Sequence, residues 1–168
     1  MDRESLRAAQ APLRERYRAE PATALAALDA RAAWTEPGIT CTVDGWAGPV
    51  RAGLHTATGG DGSDACSADM LLQALLGCAG VTMRSVATVM GLDVRSAAFT
   101  AASAYDARGT LGVDRDVPVG IRDVLVTAVL DTDASDADLA RLATSTERYC
   151  VVGRSLNVPV RVVVERVA

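Results

Sequence analysis

The sequence predicts one compact domain that mixes α-helix with β-strand and carries a helical extension in front. Three observations lead there. The 168 residues are 49% hydrophobic, enough for the chain to bury a core of its own. A stretch from Ser67 to about Met90 has no proline and is apolar nearly all round. β-Branched runs bounded by turn-forming residues lie both before and after it.

In chain order, Ser5 to Ala33 is rich in Ala, Arg, Glu and Leu and lacks Gly, which predicts two short helices with Pro12 and Pro21 each in a first turn. Leu13, Tyr17, Leu25 and Leu28 give only a thin apolar stripe. The segment therefore docks on the main body or on a second chain rather than folding alone. The division falls between an extension, residues 1–36, and a main domain, residues 37–168.

Ile39-Thr40-Cys41-Thr42-Val43 and Val50 to His55, joined around Asp44-Gly45, predict a hairpin with Cys41 in its first strand. Thr56 to Ala65 contains Gly59-Gly60-Asp61-Gly62-Ser63 and reads as a loop leading to a helix start near Ser67. That helix runs to about Met90, with Gly91 as its stop. Its apolar residues surround the axis, so several of its faces are expected to be buried.

Val94 to Tyr105 and Ile121 to Leu130 predict two strands joined by a long connection, Asp106 to Gly120. Ser135-Asp136-Ala137-Asp138 reads as a capped helix start, and that helix ends near Cys150. Val158 to Val167 predicts a last strand, with Pro159 placed where an edge strand tolerates it.

The formal net charge of −4, with Arg scattered among Asp and Glu, argues against a nucleic-acid partner. No stretch is expected to span a membrane, and Met1-Asp2-Arg3-Glu4 resembles no signal peptide. A cytoplasmic address follows as the expectation.

In that compartment the four widely spaced cysteines, Cys41, Cys66, Cys78 and Cys150, are small buried hydrophobes or reactive thiols, not a disulfide framework. Cys78 has helical neighbours on both turns and reads as a core residue unless a nearby cation activates it. Cys150 lies between Arg148 and Arg154. These cations either favour a thiolate or simply suit a helix C-terminus. Cys41 and Cys66 have no such surroundings, and burial habit favours core or incidental roles. The lone His55 has no ligand partner at metal spacing and no nucleophile to serve. The glycine loop lacks the Gly-Lys-Ser/Thr of a phosphate loop.

Taken together, the Gly-Gly loop, the run Met70-Leu71-Leu72-Gln73-Ala74-Leu75-Leu76-Gly77-Cys78-Ala79 and the later Glu147-Arg148-Tyr149-Cys150 resemble the OsmC/Ohr family. The resemblance covers about Thr40 to Val167. It implies an α+β fold in which two long helices per chain pack with antiparallel sheets in an intertwined homodimer.

It further implies reduction of organic or lipid hydroperoxides, with Cys78 as the attacking thiol and Cys150 as the resolving one. A dithiol reductant would restore the pair, and no cofactor or metal is implied. The family's enzymes add an Arg from the early strands, for which Arg51 is the nearest match, and a Glu ten residues before the first cysteine. That position is Ala68 here, and Asp69 beside it is the nearest carboxylate. Pro and Ser usual after the second cysteine are replaced by Val151 and Gly153. These departures keep open a non-enzymatic protein binding a small apolar ligand, or a redox sensor.

Overall fold

The computed structural model describes residues 2–34 and 38–167, so the division expected at residues 36 and 37 lies outside the described residues. Helix α1 spans Arg3–Ala19 and is capped by Asp2, whose carboxylate accepts the Ser5 N–H at 2.8 Å. It is one helix where two short ones were expected. Pro12 sits inside it rather than in a first turn, leaving the Ala8 carbonyl without the usual N–H donor. Pro21 does open a single 3₁₀ turn, Pro21–Ala24. No second α-helix follows, and Leu25 and Leu28 stand exposed. Among the described residues nothing packs on these two side chains, and an isolated short helix is not stable in water.

Strands β1 (Ala32–Ala33), β2 (Thr40–Gly45), β3 (Gly48–Gly53) and β4 (Ala65–Cys66) form one sheet in that order. The expected hairpin is β2–β3, antiparallel, with Thr40 opposite Gly53 and Gly45 opposite Gly48. Its turn is Trp46-Ala47, two residues beyond the expected Asp44-Gly45, and Gly48 takes a φ of +126° that a side chain would resist. β4 runs parallel to β3.

Helix α2 spans Ser67–Met90, with the expected boundaries. Gly91, at φ +75°, ends it by donating its N–H to the Ala87 and Thr88 carbonyls. By length and composition alone α2 could cross a membrane, contrary to the expectation that no stretch could. Here it is the central helix of the fold. One stripe, Leu75, Ala79, Met83 and Ala87, is buried. The expected burial on several faces is not met within one chain, since Val81 on another face is 74% exposed.

Beyond α2 come β5 (Val94–Ala102), the short α3 (Ala107–Thr110), β6 (Val124–Thr132), α4 (Asp136–Tyr149), α5 (Val151–Ser155) and β7 (Val160–Arg166). β5, β6 and β7 form a second sheet with β6 in the middle. Alternate β6 residues, Val124, Val126, Ala128, Leu130 and Thr132, are buried, the period of a strand with one covered face. β7 is an edge strand parallel to β6, with Pro159 just before it as expected. α2 and α4 pack on this sheet with Leu139, Leu142 and Cys150 in the core.

Helix α1 lies along α2. Arg3 reaches the α2 C-terminus, where its Nη1 would stand 3.7 Å from a side chain at Gly91, a position where a cation meets the helix's negative end. By contrast, β2 and β3 have no substantial contact with any element outside their own sheet among the described residues. The chain exposes 11579 Å². A compact monomer of 17.4 kDa exposes about 7,900 Å².

Candidate active site

Cys78 sits midway along α2, one residue from buried Ala79 and half-exposed itself. Cys150 is 2% exposed and joins two helices, closing α4 and opening α5. The packing of α5 on α2 brings the two thiols within hydrogen-bonding reach of each other. Both are free thiols.

Their environments differ in sign. Burial alone pushes the Cys78 thiol up, the largest single influence on it, yet hydrogen bonds to its charged form outweigh this. The Val152 N–H, the Cys150 thiol, the Thr82 hydroxyl and the Val151 N–H each favour the charged form, and Cys78 ends below the ordinary thiol range. Cys150 is driven up, first by burial and then by the neighbouring Cys78 charge, although the Gly153 N–H bonds its sulfur at 3.4 Å. Of the pair, Cys78 therefore ionises first and Cys150 keeps its proton to higher pH.

The sequence left two roles open for Arg148 and Arg154, favouring a thiolate at Cys150 or suiting a helix C-terminus, and called for a cation near a reactive Cys78. Neither guanidinium is among the largest influences on either thiol. The activating groups are backbone N–H donors of α5, a helix not foreseen because Val151-Val152-Gly153 has low helix propensity. Orphan N–H groups of a first turn are natural partners for an anion.

Arg51 lies on β3 and forms an ion pair with Asp64 through its Nε. Asp69, in the first turn of α2, is exposed. The structure thus joins Cys78 with Cys150 but does not join Arg51 with Asp69. The acid missed in the sequence is Asp64. Its signal was the β3–β4 register, which pairs Ala52 with Ala65 and so sets Arg51 beside Asp64. Cys41 and Cys66 occupy different rows of the first sheet, opposite Ala52 and Gly53, so their side chains leave opposite faces.

His55 stacks edge-on with Tyr105 at 5.5 Å, and its Nδ1 accepts the Ala57 N–H at 3.0 Å. That tethers the glycine loop to the β5–β6 connection. Among the described residues no three His, Cys, Asp or Glu side chains converge as a metal site.

Two cavities flank the cysteines. One, of about 580 Å³, is lined by Gln10 and Arg14 of α1 and by Val81, Thr82 and Val86 of α2. The other, of about 700 Å³, is lined by Leu75, Ala79, Cys150, Gly153, Arg148 and Arg154, among others.

The sequence model of the OsmC-like protein family matches residues 60–165, more than half of the chain. The chain belongs to the OsmC-like family. Solved structures agree on the fold. The OsmC-like protein from Mycoplasma pneumoniae has 14% identity and a TM-score of 0.69, over 85% of this chain and 99% of that one. An organic hydroperoxide resistance protein from Elizabethkingia anophelis has 14% identity and a TM-score of 0.68, over 85% and 98%. An organic hydroperoxide resistance protein OsmC from Legionella pneumophila has 18% identity and a TM-score of 0.64, over 84% and 98%. No curated protein matches the sequence. The OsmC-like fold is thus α+β, as the resemblance implied, but both sheets are mixed rather than antiparallel, because β4 and β7 run parallel to their neighbours; α1 lies ahead of the family-matched residues.

Proposed function

We propose that this OsmC-like protein is a cytoplasmic, homodimeric, thiol-dependent reductase of organic or lipid hydroperoxides, working through Cys78 and Cys150. The observation that carries the reading is the pair itself: two thiols in hydrogen-bonding reach, one lowered and the other raised. The Cys78 thiolate attacks the terminal peroxide oxygen. The O–O bond breaks, and the alkoxide takes a proton from water and leaves as the alcohol. The Cys78 sulfenic acid is then attacked by Cys150, whose proton leaves with the hydroxyl as water, and a disulfide forms.

The homodimer is supported by the surface, which exceeds that of a compact monomer of this mass by about 3,700 Å². The bare hairpin sheet and the exposed Val81 face of α2 are where a second copy would cover it. Arg51, with Asp64 rather than Asp69 as its acid, is proposed to orient the peroxide. Stopped-flow consumption of cumene hydroperoxide tests the reading. Reduced protein should turn over with a dithiol, Cys150→Ser should consume one equivalent and stop, and Cys78→Ser should consume none. Turnover by Cys78→Ser would overturn it.

A further inference from the structure

We infer that the cleft between α1 and α2 binds an aliphatic monocarboxylate, with the chain along α2 and the carboxylate on Arg14. The site does not depend on the thiol chemistry. It belongs to the helical extension, since α1 lies ahead of the family-matched residues.

The two helices meet lightly. No residue of α1 is buried, and between the helices lies the cleft of about 580 Å³, bordered by Ser145 and Tyr149 of α4. That volume falls in the range of small-molecule sites, about 300–1,000 Å³.

The floor is a run of α2. Val81, Val86, Val89 and Met90 give it an aliphatic surface. Val81 is 74% and Val89 37% exposed, on a helix whose other stripe is core. From Val81 to Met90 the helix axis rises about 13 Å, an elongated track that suits a linear chain. Thr82, Ser85 and Val89 continue the row of α2 that carries Cys78, so a chain seated there lies in line with that thiol.

One charged side chain lines the cleft among the described residues, and it is a cation. Arg14 donates through Nη2 to the Gln10 Oε1 at 2.9 Å. That neutral partner orients the guanidinium without cancelling its charge, and leaves most of the fork for a carboxylate. No carboxylate of the protein pairs with Arg14 among the described residues. An aliphatic floor beside a lone cation, on a chain of net charge −4, selects an amphiphile with an anionic head over one with a cationic head.

Isothermal titration calorimetry of the full chain compares decanoate with decylammonium, the same tail with opposite charge. Decanoate should bind once per chain, and the more tightly of the two. Arg14→Glu should lower the decanoate-to-decylammonium affinity ratio about tenfold, the scale of reversing one exposed charge for two ligands of opposite sign. On decanoate binding, amide shifts should move at Val81, Ser85 and Val89. Ser85→Trp, which fills the cleft, should abolish binding of both amphiphiles with helix content unchanged by circular dichroism.

Equal affinities for the two amphiphiles, or a ratio unmoved by Arg14→Glu, would overturn the inference. So would the absence of decanoate binding in the associated protein, which would mean that a second copy fills the cleft. A protein that binds decanoate through Arg14 but consumes no cumene hydroperoxide would keep this site and overturn only the proposed reaction.

Discussion

Thr82→Val isolates one contribution to the Cys78 thiolate. The substitution keeps the β-branched shape and the helix, and removes only the hydroxyl that bonds the sulfur. A hydrogen bond to a charged group contributes about 1.5–3 kcal/mol, and about 1.4 kcal/mol corresponds to one pKa unit. Cys78 is half-exposed, so water replaces part of the lost bond and the lower end applies. The expected result is a rise of about one unit in the Cys78 pKa, and about tenfold less thiolate at pH values below it.

The sign follows from the direction of the native shift. Cys78 lies below the ordinary thiol range, so its thiolate survives to lower pH than that of a free cysteine; the variant must lose reactivity first on the acid side. Iodoacetamide alkylation of the Cys78 peptide, followed across pH by mass spectrometry, separates it from the other three cysteines. An unmoved midpoint in a variant with native helix content would refute the assignment of Thr82 as a donor to the thiolate.

Other outcomes follow from the same structure. Leu142→Ala, at a fully buried position, should cost about 2–5 kcal/mol, seen as a fall of roughly 10 °C in the thermal midpoint by circular dichroism. Gly91→Ala places a side chain at φ +75° and should cost about 1 kcal/mol in urea unfolding; a neutral result would mean that α2 ends differently. Arg51→Ala should lower kcat/KM for cumene hydroperoxide at least tenfold with circular dichroism unchanged, and an unaffected rate would remove Arg51 from the site.

Legibility in the sequence followed the range of the forces involved. The end of α2 was readable because Gly91 acts on its own backbone, taking the left-handed turn that stops the helix. The edge position of β7 was readable from Pro159 for the same reason. Cys78 was not readable as reactive from its neighbours. What lowers it comes from Val151 and Val152, more than seventy residues away in sequence and visible only once α5 packs on α2. Asp64 was hidden likewise, since the parallel β3–β4 register that brings it to Arg51 is a tertiary fact. Pro12 was misplaced because proline at a first turn is a preference that a long exposed helix can override.

The uncovered hairpin sheet has a thermodynamic consequence. A chain whose β2 and β3 make no substantial contact outside their own sheet among the described residues has no comfortable resting state at high dilution. Folding and association then become one reaction. Its melting temperature should rise with protein concentration, and a mutation far from either thiol, on the face of β3 for example, should reach the redox centre by loosening the assembly that holds it.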